Sequence, residues 1–388
     1  MWIIMFIFII AVAFYTGART ISLINTLFPK IGKQGKRLEK IGYIIFLIPI
    51  IGSFLLRGIG VMKEIRNFGF VCMAAFLYLL LFCLSFECVW GISKLIVWKI
   101  KKRNNTMEGW KKILAGITLG LAILVTGYGL YHARDLKVKE YSISLKANSP
   151  LSELKVILIS DLHLGSMLDK NFVKQLVTEI NSLQADVICI AGDIFDNDYE
   201  ALKNPEETAE LFSKLESVYG VYACLGNHDI DGLFQGEGNL GHEKIAAFLK
   251  QANIHLLEDE AVTVANSFII AGRKDRRPLG NKMAVRDSIS EIIGQSDTLP
   301  ILLLDHQPQA EEEAKQAGVD LLMCGHTHNG QVFPGNLIVG LTAKYTYGYS
   351  KDGDTNIVVT SGAGFWGPPC RVASDSEIVV LNLTFSGK

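Results

Sequence analysis

Long apolar runs crowd the first third of the chain, and short ones punctuate the rest. Near residues 1–18, 41–56, 68–90 and 113–131 hydrophobic positions are almost unbroken, and each run approaches the ~20 residues a helix needs to cross a bilayer. The pattern predicts four transmembrane helices. The second run is short and carries Pro49, so a re-entrant segment is the alternative there. Past His132 the texture changes. Runs of four to six residues now recur: Tyr141 to Leu145, Val156 to Ser160, Val187 to Ala191, Val221 to Leu225, Phe268 to Ala271, Ile301 to Leu304, Leu321 to Cys324, Ile357 to Thr360 and Ile378 to Leu383. Between them, polar segments around 170–184, 206–218, 242–252 and 309–317 suit helices. Such alternation predicts an α/β domain whose later strands form a second sheet packed on the first. A helical membrane domain over 1–132 is thus expected to precede one α/β domain over 133–388, long enough for a large core.

Charge sharpens that division. The total is nearly balanced, but residues 1–133 hold 16 Lys and Arg against 4 Asp and Glu, whereas residues 134–388 hold 22 against 35. A basic anchor suits anionic headgroups, and the acidic remainder speaks against nucleic acid as a partner. The chain opens on Met1-Trp2-Ile3, with Arg19, Lys30, Lys33, Lys36, Arg37 and Lys40 behind the first run, the reverse of a signal peptide. The loop after the third run is also basic, through Lys94, Lys99, Lys101, Lys102, Arg103, Lys111 and Lys112. Between the second and third runs only Arg57, Lys63, Glu64 and Arg66 are charged. The positive-inside rule then places 19–40 and 94–112 in the cytoplasm, and four crossings leave the N-terminus and the α/β domain outside a multi-pass cell-membrane protein. Glu87, near the end of the third run, either reaches the interface or marks a function. Gly116 and Gly120 offer a small-residue pair for helix packing. Seven cysteines include no C-x-x-C and read as small buried hydrophobes.

Chemistry gathers just past five of the apolar runs. Asp161 and His163 follow the run ending at Ser160; Asp193 and Asp196 follow Gly192; Asn227, His228 and Asp229 follow Gly226. His306 follows Asp305, and His326 and His328 follow Gly325. Strand carboxyl ends are where open α/β sheets collect ligands. Each set alone has a plain reading as a turn or cap, but five in the same position point to metal binding. Carboxylate, imidazole and amide donors without thiolate suit Mn, Fe, Zn or related ions, and so large a set implies two ions. Asp193 is the natural shared carboxylate. Asn227 offers a neutral oxygen, His228 a proton donor, and Asp229 is placed to orient that imidazole. No P-loop or G-x-S-x-G elbow is present. Arg273, Lys274, Arg276 and Arg277 form a basic cluster that reads either as a solvated loop or as contacts to an anionic substrate.

The order Asp-x-His, Gly-Asp-x-x-Asp, Gly-Asn-His-Asp, His, Gly-His-x-His, running from Asp161 to His328, resembles the calcineurin-like metallophosphoesterase family. The likeness spans roughly 150–385. Gly325 to Gln331 and Gly364-Phe365-Trp366-Gly367-Pro368-Pro369 are similar to its bacterial membrane-associated branch. Asn329 departs from that branch's usual glycine, and Asp305 from its usual serine. The resemblance implies an α/β two-sheet sandwich flanked by helices. It also implies one metal on Asp161, His163 and His328, a second on Asn227, His306 and His326, and Asp193 between them. His228 would then contact phosphate and protonate the leaving oxygen, steadied by Asp229, while Asp196 supports the residues of the site or fixes its loop and is not a ligand.

Two ions about 3.5–4 Å apart can activate a hydroxide between them for in-line attack on phosphorus. The expected protein is therefore a membrane-anchored, metal-dependent phosphoric ester hydrolase, with a phosphodiester in a lipid or envelope polymer favoured as substrate. Enzymes on soluble phosphoesters and noncatalytic receptors or scaffolds that keep the fold are the alternatives; a transporter would need more spans or polar intramembrane residues. The topology has a direct check. Protease added to intact, wall-stripped cells is expected to cleave within 133–388, and protection there until lysis would reverse the orientation.

Overall fold

The computed structural model describes residues 2–55, 63–100, 105–165, 167–168, 170–196, 199, 202–230, 238–276, 286–294 and 299–387. The chain separates into two compact units, Met1–Tyr131 with Pro368–Cys370, and His132–Gly367 with Arg371–Lys388.

The first unit holds α1 (Trp2–Leu27), α2 (Lys33–Leu55), α3 (Lys63–Ile100) and α4 (Asn105–His132). Among the described residues three segments are long and apolar enough to cross a membrane: Ile4–Leu27, Glu64–Lys99 and Met107–His132. The second apolar run lies in α2, which continues through Pro49 and is not one of the three. Arg57 and Lys101 to Arg103, counted among the loop charges, fall outside the described residues. The Glu87 carboxylate meets Arg19 Nε at 3.0 Å, pairing α3 with α1. Gly120 has no neighbour that a side chain would touch within 4 Å, so the expected small-residue pair is not a close helix contact.

The second unit is built on two six-stranded sheets. The first contains β1 (Leu136–Leu145), β2 (Glu153–Ile159), β3 (Val187–Ala191), β4 (Val221–Cys224), β5 (Ile254–Leu256) and β12 (Ser376–Phe385), in the order β1-β12-β2-β3-β4-β5. The second contains β6 (Glu260–Val264), β7 (Phe268–Gly272), β8 (Ile301–Leu304), β9 (Leu321–Cys324), β10 (Gly348–Asp352) and β11 (Thr355–Val359), in the order β10-β11-β9-β8-β7-β6. Strands β2 to β5 are parallel, as are β11, β9, β8 and β7. Both sheets therefore send their loops from carboxyl ends.

Alternation along each strand explains the layers. Val156, Leu158, Val187 and Cys189 meet Leu302, Leu304, Leu321 and Met323 between the sheets. Their neighbours Ile157, Ile159, Ile188 and Ile190 face outward onto a helical layer. There α5 (Lys170–Ser182) buries Phe172, Val173, Leu176, Val177 and Ile180, one stripe of a 3.6-residue repeat. The layer also contains α6 (Pro205–Phe212) and α8 (Gly238–Gln251); α7 (Asn227–Ile230) is a single turn. On the far face of the second sheet, Ile301, Leu303, Leu322 and Ile357 pack with Ile289 and Ala314 from α9 (Ile289–Ile293) and α10 (Glu311–Gln316). A last short helix, α11 (Gly335–Val339), buries none of its residues. With both faces covered, the central strands need apolar residues at every position.

Edges behave differently. β5, β6 and β10 lie at or beside sheet edges and carry exposed polar residues, so they lack the unbroken apolar signature and are not among the runs read from sequence. β1 likewise starts at Leu136, five residues before the run at Tyr141, because its first half is largely exposed. The helix expected over 206–218 stops at Phe212. All seven cysteines are free; Cys88 is exposed, unlike the buried rest.

Candidate metal centre

Five strands deliver polar side chains to one place. Asp161 and His163 leave β2, Asp193 leaves β3, and Asn227 opens α7 just after β4. His306 follows β8, and His326 precedes the 3₁₀ turn His328–Gly330 after β9. Asp161, His163, Asp193, Asn227, His306 and His328 are buried, whereas His326 and His228 are half-buried. Turning so sharply off a strand requires unusual backbone. Asp161, His163, Asp193, His326 and His328 all adopt positive φ, between 44° and 73°, at a cost of roughly 1–2 kcal/mol each for a residue with a Cβ. Local hydrogen bonds hold them there. The amides of Asp161 and His163 donate to the carbonyls of Gly192 and Asp193 at 3.0 Å, and the His326 amide donates to Asp161 Oδ2 at 3.0 Å. Two glycines make room: a side chain at Gly226 would strike the Asp193 carboxylate, and one at Gly325 would strike Ser160 Oγ and Asp161.

The donor atoms form three overlapping groups, each within 4.8 Å: Asp161, His163 and His328; His163, Asp193 and His228; Asp193, His306 and His326. Asp193 belongs to two of them. His163 Nε2 and His328 Nε2 face each other at 3.0 Å, and His328 Nε2 lies 3.4 Å from Asp161 Oδ1. Burial pushes His163 and His326 down to about 4 and His328 well below its usual range, leaving neutral imidazoles with lone pairs to share. His306 Nδ1 lies 2.7 Å from the Ala191 carbonyl, to which it donates, so Nε2 points inward at 3.1 Å from Asp193 Oδ2. Burial disfavours the His306 cation, yet Asp193 pushes that imidazole well above its ordinary range. Burial opposes ionisation of Asp193 too, but His306 and the neighbouring imidazoles hold it far below the usual carboxylate range. Across 3.1 Å, Asp193 and His306 thus each favour the charged form of the other. The buried Asn227 Oδ1 and His163 Nδ1 make no hydrogen bond. Carboxylates, neutral imidazoles and a free amide oxygen fit a divalent ion.

Asp229 does not steady His228. Its carboxylate accepts the amides of Gly226 at 2.8 Å, Phe195 at 2.8 Å and Ile194 at 3.2 Å, stitching the β3 and β4 loops together. Those donors consume its oxygens. Asp196, expected to support the site's residues or fix its loop and not to bind metal, brings Oδ1 to 3.5 Å from His228 Nδ1. The imidazole also lies edge-on to Trp366 with ring centres 5.9 Å apart. Burial lowers His228, but Asp196 and Asp193 outweigh it and raise the group.

Comparison with known proteins agrees with this architecture. The family profile for calcineurin-like phosphoesterases matches residues 154–330. An uncharacterized metallophosphoesterase of Campylobacter jejuni is 31% identical over 80% of both chains. One from Helicobacter pylori is 34% identical, covering 81% of this chain and 80% of its own. The chain belongs to the calcineurin-like phosphoesterase family. A zebrafish transmembrane protein with a metallophosphoesterase domain is also similar, 29% identical over 90% of this chain and 81% of its own.

Within this calcineurin-like phosphoesterase, both motif departures have structural partners. Asn329 sits at φ 48°, a left-handed position that asparagine tolerates better than most residues. Asp305 is fully buried, with Arg286 Nη1 at 3.2 Å and Arg273 Nη1 at 3.5 Å. Arg273 is therefore no solvated loop residue: it is buried and grips Glu313 through two bonds of 2.8 and 2.9 Å. Lys274 pairs with Asp259, Arg276 with Gln309, and Arg277 lies outside the described residues. Arg371 is a further buried residue that carried no sequence signal. Its guanidinium donates to the carbonyls of Ser361 and Gly364 at 2.7 Å and to Ser374 Oγ at 2.6 Å, and Ser374 in turn donates to the His328 carbonyl. Burial lowers this arginine to about 10.

Asp193 raises His306, so an ion held by the His306 ring would displace a proton from it. Titrating Mn²⁺ or Zn²⁺ into chelator-stripped protein, in two buffers of different ionisation enthalpy, is expected to show release of about one proton and an affinity that rises with pH. Zero release would contradict the His306–Asp193 pairing. The two aspartates should also separate. Asp229→Asn is expected to lower stability by about 1.5–3 kcal/mol, the range for buried hydrogen bonds to a charge, whereas Asp196→Asn should leave the melting midpoint near that of the parent.

Proposed function

We infer that the protein is a membrane-anchored phosphoesterase using two divalent ions. The observation that carries this reading is the convergence of Asp161, His163, Asp193, His306, His326 and His328 into overlapping groups with His228 at their side. Asp161, His163 and His328 would hold one ion, and Asn227, His306 and His326 the other, with Asp193 shared. Mn, Fe or Zn suits the donors. When bound, two such ions supply an activated water and neutralise phosphoryl oxygens during in-line attack.

The chain's own residues do the remainder. Asp193 and Asp161 provide the negative charge that makes the centre selective for cations. His228, raised by Asp196 and Asp193 above its ordinary range, is placed to donate to the leaving oxygen, and Trp366 packs against its ring and limits its freedom. The preferred substrate is a phosphodiester in a lipid or an envelope-associated polymer. Support comes from the tether: α4 ends at His132 and β1 begins at Leu136, a link that spans at most about 3.6 Å per residue. Proximity of this kind raises effective concentration only for substrates at the same surface. The basic loops favour an outer catalytic domain only with a fourth crossing by α2, which keeps both loops in the cytoplasm; three crossings would place one basic loop outside and the domain inside.

The test is a hydrolysis screen of metal-loaded, full-length protein with diester, monoester and pyrophosphate substrates. His228→Ala is expected to retain its ions yet lose about 10²–10⁴-fold in rate, the usual range for acid–base assistance, with poorer leaving groups suffering more. Equal losses for good and poor leaving groups would remove the acid role. Absence of turnover on every ester in the metal-loaded parent would favour a binding role for the fold.

A further inference from the structure

Beside the metal centre lies an apolar projection that the reaction does not use. Between the turn at His328 and β10 the chain leaves Leu341 88% exposed, Ile338 61%, Leu337 60% and Phe333 38%. Isolated exposed leucines are ordinary, but four large apolar residues in nine positions make a patch. Its charge is equally distinctive. Between His328 and Asp352 there is no Asp or Glu, and the only charged residues are Lys344 and Lys351, within a domain where acidic residues outnumber basic ones by 35 to 22.

The projection is fixed to the site. A side chain on Gly330, two residues past His328, would collide with the backbone of Gly335 and Asn336, so α11 packs directly on the metal-binding turn. Phe333 N donates to Val372 O at 3.0 Å. Gln331 holds Trp366 by both backbone groups, its Nε2 donating to the Trp366 carbonyl and its Oε1 accepting the Trp366 amide, each at 2.9 Å. Trp366 is 48% exposed and faces His228. The aliphatic segment and the half-exposed indole beside His228 are thus both tied to the turn that follows His328.

We propose that Phe333–Leu341 enters the surface of the bilayer that anchors the chain, setting the mouth of the metal centre at headgroup level. The occupant is lipid, because the same chain carries helices able to cross a membrane and only three residues separate α4 from β1. Aliphatic tips without acidic neighbours suit an acyl and anionic headgroup layer. Trp366 belongs to the amphipathic ring type that settles at that depth. The consequence for substrate rests on the phosphoesterase reading: a phosphoester held in the membrane would meet His228 without leaving it. The lipid contact does not rest on it.

The experiment uses full-length protein in phosphatidylethanolamine–phosphatidylglycerol vesicles doped with phosphatidylglycerol that carries a photoactivatable diazirine in its acyl chain. Mass spectrometry then maps the adducts. Labelling of Leu337, Ile338 or Leu341 together with α1 is expected; labelling of α1 without any adduct in 333–341 overturns the proposal, as it would if another protein or a second copy covered the tip. In the same vesicles, the combined variant Leu337→Ser, Ile338→Ser, Leu341→Ser is expected to lose at least about tenfold in kcat/KM on a lipid-linked ester, while a matched soluble ester is hydrolysed as by the parent. Equal losses on both esters would overturn the proposed effect on catalysis. Adducts at the tip with no hydrolysis of either ester would uphold the contact and remove the phosphoesterase reading.

Discussion

Buried carboxylates and imidazoles crowd one end of two hydrophobic sheets, and the surrounding structure is shaped by the need to keep them there. Asp161, Asp193 and the neighbouring histidines cannot all be charged in a dry site, so protons and ions are distributed among them. Asp193 raises His306, while burial lowers His163, His326 and His328. That arrangement is costly as it stands and accommodates a dication readily. The left-handed backbone at five of the donor residues belongs to the same account: strain is tolerated where the surrounding hydrogen bonds over-determine the conformation.

The supporting parts work at one remove. Asp229 joins the β3 and β4 loops through three amides, and Arg371 joins the loop at Ser361–Gly364 to the carbonyl of His328 by way of Ser374. Both are buried. Their contribution is to remove the freedom of the turns that carry donors, which is how a site built on loops acquires the precision of one built on strands. The Asp305, Arg273, Arg286 and Glu313 cluster does the same behind His306, and it explains how a buried acid is tolerated where the related branch has serine.

The helical unit raises a separate physical question, since one spanning helix already anchors a domain. Here α1 and α3 are joined by the Arg19–Glu87 pair, which gives two ionisable residues on apolar helices a mutual partner.

Much of this was legible in the chain itself. Nine central or long strands announced themselves because burial on both faces demands unbroken apolar runs, and the donor residues stood out because they recur immediately past those runs. The apolar first third and its basic loops marked the membrane unit by composition alone. Edge strands β5, β6 and β10 were silent because solvent accepts any side chain on an open face. The partner of His228 was not legible either: Asp229 is adjacent in sequence, yet the turn of α7 directs its carboxylate to backbone amides and leaves the ring to Asp196 from another strand. Arg273 read as a solvated cation or a substrate contact and Arg371 gave no signal, and only packing showed them buried among acids and carbonyls. The amino-acid sequence determined which residue types reach the strand ends, since that follows from local periodicity. Tertiary structure decided which of them face one another, because a side chain's partner depends on loops that converge from distant parts of the chain.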